Sequence, residues 1–214
     1  MPIIAVINQK GGAGKSTIAV HLARWLSKKR KTVVVVDADA QQSSSKWLAR
    51  IEHSIPCHIL QDSDALLEDL PKLIESYPWI VVDGPAALSE MTRAIVLSAD
   101  LALIPCQPTG VDLESASDTV RLIQQAQRIR KGEPKALIFV NRAVKGTKLK
   151  DEALEVLRML PSVKVLDTVI HQRQAIADCF GQNSTVFDLP GTSTGIARRE
   201  LVELFEQAVR GLDG

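Results

Sequence analysis

Seven short apolar runs rich in β-branched residues alternate along the chain with longer stretches of helical period. The runs predict strands at Ile3–Asn8, Thr32–Asp37, Cys57–Leu60, Trp79–Asp83, Leu101–Pro105, Ala136–Asn141 and Lys164–Leu166. Between and after them, helices are predicted over Lys15–Lys28, Ser43–Ile51, Ala65–Ser76, Ser89–Leu97, Asp112–Arg130, Lys150–Leu160, Arg173–Phe180 and Ile196–Arg210. The runs are apolar without alternation, as expected of strands covered on both faces. The fold class that follows is α/β, a mostly parallel central sheet flanked by helices on both faces. In the last predicted helix Leu201, Val202, Leu204, Phe205, Ala208 and Val209 share one stripe, while Glu200, Glu203, Glu206 and Arg210 lie off it. An acidic polar face of this kind suits packing on the protein rather than insertion into a membrane surface.

With 214 residues, 45% of them hydrophobic, the chain has enough apolar surface for one substantial core, so residues 1–214 are expected to form a single domain. The formal net charge of +1 hides an uneven distribution. Between Arg121 and Lys150 stand Arg121, Arg128, Arg130, Lys131, Lys135, Arg142, Lys145, Lys148 and Lys150 against the one acid Glu133. Cys57, Cys106 and Cys179 are far apart and form no C-x-x-C pair, which argues against structural zinc and disulfides and for a reducing, cytoplasmic setting. His21, His53, His58 and His171 show no metal-ligand spacing. The N-terminus reads as a strand without a basic signal region, and no apolar run reaches membrane-spanning length, so no membrane is expected among the partners.

Chemistry enters at Gln9-Lys10-Gly11-Gly12-Ala13-Gly14-Lys15-Ser16-Thr17, directly after the first strand. Glycines let successive backbone N–H groups point at a polyphosphate, and the helix that follows presents its positive end to the same anion. Lys15 is placed to reach the β- and γ-phosphates, Ser16 to ligate Mg2+ and Thr17 to touch the α-phosphate. The first glycine of the usual phosphate-loop pattern is replaced by Gln9, and a second lysine, Lys10, follows it. The loop is thus of the deviant Walker A form, K-G-G-x-G-K-[ST]. Lys10 has no evident duty toward the loop's own nucleotide; the alternative reading is a solvated loop cation.

Two further strands end in carboxylates, at the edge where open α/β sheets bind ligands. The second strand runs into Asp37-Ala38-Asp39-Ala40-Gln41-Gln42-Ser43. Asp39 is a candidate for orienting an attacking water and Asp37 for buttressing the loop or the Mg2+ shell; a simple cap on the next helix is the other possibility for Asp39. The fourth strand ends Val81-Val82-Asp83-Gly84-Pro85, the Walker B form, in which Asp83 holds Mg2+ directly or through water and Gly84 permits a mobile loop.

These segments, with Leu103-Ile104-Pro105-Cys106-Gln107-Pro108-Thr109-Gly110-Val111-Asp112-Leu113 and Phe139-Val140-Asn141-Arg142, resemble ParA-type partitioning ATPases of the short kind, within the ParA/MinD group of P-loop NTPases. Ala40 departs from the proline more frequent there. The resemblance implies ATP and Mg2+ as cofactors, with Lys10, Gly11, Gly12, Ala13, Gly14, Lys15, Ser16, Thr17 and Asn141 as ATP contacts. It implies Ser16, Asp39 and Asp83 around the metal, and catalytic roles for Lys10, Lys15 and Asp39. Lys10 would cross a nucleotide-sandwich homodimer to the other subunit's phosphates, with Pro108 and Asp112 at the interface. The ATP form would bind double-stranded DNA without sequence preference and associate with the nucleoid. Arg142, Lys145, Lys148 and Lys150 are the first contacts expected and Arg173, Arg198 and Arg199 the second. An adaptor, ParB-like or of the carboxysome type, would stimulate hydrolysis, and the output would be segregation or spacing of a plasmid, a chromosome or an organelle. A membrane-associated MinD-like ATPase and a metabolic ATP-dependent relative stay open as alternatives.

Overall fold

In the computed structural model, which describes residues 1–213, the chain runs β1 (Ile3–Val6), α1 (Lys15–Lys28), β2 (Val33–Asp37), α2 (Ser43–Leu48), β3 (Cys57–Ile59), α3 (Ser63–Ser76), β4 (Trp79–Asp83) and α4 (Glu90–Ser98). It continues with β5 (Leu101–Cys106), α5 (Gly110–Ile129), β6 (Lys135–Val140), α6 (Leu149–Arg158), β7 (Lys164–Val165), α7 (Gln174–Ala177) and α8 (Thr192–Asp213). The strands form one seven-stranded sheet in the order β3-β2-β4-β1-β5-β6-β7, and every pairing is parallel.

The unbroken apolar strands divide their side chains between two covered faces. In β1 and its extension Ile3, Ala5 and Ile7 join one core layer, against Leu66, Leu70, Ile95, Val120, Ile123 and Leu157 of α3 to α6. Ile4 and Val6 join the other, with Ile18, Leu22 and Leu26 of α1, Trp47 of α2 and Leu201, Leu204 and Phe205 of α8. Each such side chain removed from water contributes about 1.5–3 kcal/mol before the entropy of ordering is set against it. The stripe read from α8 is therefore core: Leu204, Phe205 and Ala208 are fully buried.

Several sequence expectations shift, and α2 and α7 are shorter than expected, ending at Leu48 and Ala177. β3 is not doubly covered; it is an edge strand with His58 and Ile59 exposed, and β7 is a two-residue edge at the other side. Helices α3 and α5 begin two residues earlier than periodicity suggested, because Asp62 and Thr109 cap them with side-chain acceptors. Helix α8 begins four residues earlier than expected, at Thr192.

β1 lies between β4 and β5, so chain connections leave it in both directions across the sheet. A crevice opens at the carboxyl edge of such a switch point, and the phosphate loop occupies that position.

Candidate functional site

The loop from Gln9 to Gly14 connects β1 to α1, and its shape is held by side chains from several elements. Asn8 anchors the entry: its Nδ2 donates to the Pro105 carbonyl at 2.7 Å, and its Oδ1 accepts from Lys10 N at 3.0 Å and from Ser115 Oγ at 3.0 Å. Gly14, at φ 96°, caps α1 in the left-handed region. Lys15 is buried, and its Nζ donates to the Lys10 carbonyl at 3.1 Å. Burial lowers its pKa, and the charges of Asp83 and Asp39 oppose that fall. A bound polyphosphate would act in the same direction as those carboxylates.

The two carboxylate strands meet beside it. Asp37 is fully buried, accepts from Asp39 N at 3.2 Å and Ser45 N at 2.8 Å, and so ties the loop after β2 to the start of α2. Asp39 stands at the rim of the pocket, with Oδ1 accepting from Gln41 N at 2.9 Å. It makes an aspartate turn rather than the cap of α2, whose N-cap position is Gln42, in the left-handed region at φ 53°.

Asp83 is fully buried, and burial pushes its carboxyl pKa up to about 7. The Ser16 and Ser44 hydroxyls oppose that rise, yet neither Asp83 oxygen completes a hydrogen bond of full geometry. A buried carboxylate left without donors is costly unless a cation joins it. Ser16 and Asp83 fit the hard oxygen ligands that Mg2+ takes, partly through water. When bound there, Mg2+ supplies charge neutralisation to the phosphates. Gly84 serves space rather than mobility, since a Cβ on it would meet Ile7 Cγ2 at 2.8 Å.

A cavity of about 610 Å3 is lined by Gly11, Gly12, Gly14, Lys15, Ser16, Thr17 and Asp39, among others. A second space of about 240 Å3 adjoins it, lined by Asn141, Ile170, Gln172 and Ile176 among others, and Gly14, Thr17, Trp47, Arg142 and Phe180 border both. Together they make a cleft with an anion end and a half-apolar end, the shape a nucleotide requires.

Several expected site residues are placed differently. Asn141 is buried and its Nδ2 donates to the Ala13 carbonyl at 2.7 Å, which commits one of its two amide hydrogens to the phosphate loop and leaves the other and the side-chain oxygen for a purine edge. Arg142 bends back to the loop, with Nη1 donating to the Gly12 carbonyl at 2.9 Å. Pro108 and Asp112 are buried; Asp112 Oδ2 accepts from Thr109 Oγ1 at 2.5 Å within the cap of α5, and the exposed residues of that turn are Thr109, Gly110 and Val111. Arg173 pairs with Glu200 at 2.5 Å, and Arg198 donates to the Val186 and Leu189 carbonyls. Fold contacts thus remove Arg173 and Arg198 from the freely presented cations. Lys150 pairs with Asp151 at 3.1 Å, while Lys145, Lys148 and Arg199 are exposed and make no ion pair among the described residues.

Sequence reading missed Asn8, Gln107 and Phe180. Gln107 Nε2 donates to the Gly12 carbonyl at 3.1 Å, and Phe180 stands edge-on to Trp47 with the Arg50 guanidinium 4.9 Å from its ring centre. Only the polar residue ending an apolar strand, for Asn8 and Gln107, was a usable signal. Burial pushes the thiols of Cys57, Cys106 and Cys179 up to about 12, which disfavours the reactive thiolate form. No cluster of metal-ligating side chains occurs among the described residues, and no helix there is long and apolar enough to cross a membrane.

Comparison with known proteins agrees with this geometry. The family model for the CobQ/CobB/MinD/ParA nucleotide binding domain matches residues 4–186. The maintenance of carboxysome distribution protein A of Gloeobacter kilaueensis is 38% identical over 119 residues, 55% of each chain, so that alignment spans about half of the relative. Protein ParA of Rhizobium radiobacter is 27% identical over 220 residues, 98% of this chain and 96% of that one. Among solved structures, the Cyanothece McdA–ATP complex superposes with a TM-score of 0.82 at 18% identity, covering 98% of this chain and 96% of its own, which speaks for the fold alone. With the phosphate loop, both carboxylate strands and the parallel sheet in register, the chain belongs to the CobQ/CobB/MinD/ParA nucleotide-binding family and is a P-loop ATPase of its ParA/MinD branch.

Proposed function

We propose that the chain is a Mg2+-ATP-driven positioning switch. It folds as one unit, pairs around two ATP molecules, holds duplex DNA without sequence preference in that state, and is reset when an adaptor stimulates hydrolysis. The cargo is DNA or a protein organelle such as the carboxysome, and the protein cycles between cytoplasm and nucleoid. The observation that carries this reading is the position of Lys10. Lys10 is not among the residues that line the phosphate cavity; it borders a separate groove with Gly11, Val111, Glu114, Ser115 and Asp118. A second lysine held beside a phosphate loop but outside it is suited to a phosphate brought by another copy. Lys15, Ser16 and Thr17 serve the protein's own ATP, Asp83 and Ser16 the metal, and Asp39 the attacking water.

Lys145 and Lys148 support the DNA half of the reading, because neutralised phosphates supply most non-specific affinity and pairing doubles the number neutralised. The names of the relatives, carboxysome distribution and partition proteins, support the positioning role. A MinD-like membrane mode gains no support from α8, whose apolar stripe is occupied by the core.

The test is binding to a random-sequence duplex at moderate salt with ATP, ADP or no nucleotide. The expected result is salt-sensitive binding with ATP alone, lost in Lys10→Ala. Equal weak binding in all three states overturns the proposal.

A further inference from the structure

The Gly12 carbonyl accepts two side-chain donors at once, Arg142 Nη1 at 2.9 Å and Gln107 Nε2 at 3.1 Å. The next carbonyl, Ala13, accepts Asn141 Nδ2 at 2.7 Å. In a planar trans peptide the C=O and N–H point in opposite directions, so a carbonyl held on one side fixes the following N–H on the other. These N–H groups, Ala13 and Gly14, belong to the loop that cradles the anion. The donors stand just past β5 and β6, which are hydrogen-bonded to each other along their whole length. Arg142 reaches back because its own backbone takes φ 57°, a left-handed conformation uncommon for a side chain of its size. Strain of this kind persists where surrounding contacts determine it.

We infer that Arg142 and Gln107 are a paired clamp on the Gly12 carbonyl, positioning residues that set nucleotide affinity, and that Arg142 is not a DNA contact. The inference rests on the reading of the loop as the ATP site. Two donors on one acceptor give partial redundancy: with one removed the peptide is held less firmly, and with neither it is free to turn. The clamp also predicts which replacement works. Lysine has the length and an N–H donor for Gly12, whereas alanine has neither.

The experiment measures fluorescent-ATP affinity, steady-state ATPase constants and DNA binding at saturating ATP for the full chain and for Arg142→Ala, Arg142→Lys, Gln107→Leu and the Arg142→Ala/Gln107→Leu pair. Thermal melting without nucleotide verifies folding. The clamp predicts a loss of ATP affinity of about threefold in each truncating single variant and of well over tenfold in the pair, more than the product of the singles. It predicts a raised KM with little change in kcat, recovery in Arg142→Lys, and unchanged DNA affinity for Arg142→Ala once ATP saturates. Additive losses, or weaker DNA binding in Arg142→Ala with ATP affinity intact, overturn the clamp. A full chain that binds no ATP overturns the underlying site assignment instead, so the two failures are distinct.

Discussion

At Gly14 a methyl group on the Cα would lie 2.4 Å from Asn141 Nδ2, in a backbone at φ 96°. Gly14→Ala therefore meets both a collision and an unfavourable dihedral. We expect destabilisation of about 1–3 kcal/mol with loss of nucleotide binding, measured by urea unfolding and fluorescent-ATP titration. Relieving the collision through Asn141→Ala is expected to restore little, because the dihedral and the Ala13 anchor are still lost. Asp83 gives the opposite pattern. Replacing a buried, donor-poor carboxylate by asparagine in Asp83→Asn is expected to raise stability in chelator by roughly 1 kcal/mol while abolishing the Mg2+ dependence of ATP binding. Equal destabilisation with and without Mg2+ would count against the metal assignment. At this scale the residues of chemistry were legible from their types and spacing. Those that hold the loop were not, because Asn8, Gln107 and Arg142 act through backbone carbonyls or amides that any polar side chain can reach.

Helix starts belong to the scale of the element. Asp62 Oδ1 accepts from Asp64 N at 3.1 Å and Ala65 N at 2.9 Å, which closes the first turn of α3. Asp62→Ala is expected to cost about 1 kcal/mol in thermal or urea unfolding without altering ATP turnover, since α3 lies away from the cleft. Hydrophobic period located every helix and strand, because nearly all of them bury a stripe or both faces in one of two layers around the sheet. It misplaced the starts of α3 and α5, where a polar side chain rather than an apolar stripe sets the boundary. It also treated β3 like an interior strand, although strand order, which depends on distant partners, leaves it at the edge. A run such as Cys57-His58-Ile59 carries no local record of that.

Whole-molecule behaviour follows from groups that join distant segments. His21 is fully buried, contacts the Thr17 carbonyl at 2.7 Å through Nδ1, accepts from Val186 N at 3.3 Å, and is flanked by the rings of Trp47 and Phe187. Burial lowers its pKa from 6.5 to about 4, so the folded state keeps it neutral. Stability from this group is complete above about pH 6.5 and is lost as pH falls toward 4, where the unfolded chain binds the proton more readily, by roughly 3 kcal/mol in all. Urea unfolding at several pH values is expected to show that slope, flattened in His21→Gln. Asp188, held by Arg24 at 2.6 Å and Lys28 at 3.2 Å, has its carboxyl well below the usual range, which adds a further loss below about pH 4. DNA binding is a property of the pair of chains. One phosphate contact by Lys148 in each copy gives about two contacts per dimer, so Lys148→Ala is expected to reduce the slope of log affinity against log salt by about 1.8. An unchanged slope would exclude that loop from the contact. The central position of β1 has a different consequence, in time. Ile3 must wait for Ile80 and Ile4 for Leu101 before either flank of the strand is paired. At synthesis rates of about 5–20 residues per second, the first strand made spends roughly 5–20 s without its neighbours. A nascent chain stalled before Leu101 thus carries the complete phosphate-loop sequence without Pro105, Gln107 and Asn141, which hold that loop in the finished fold.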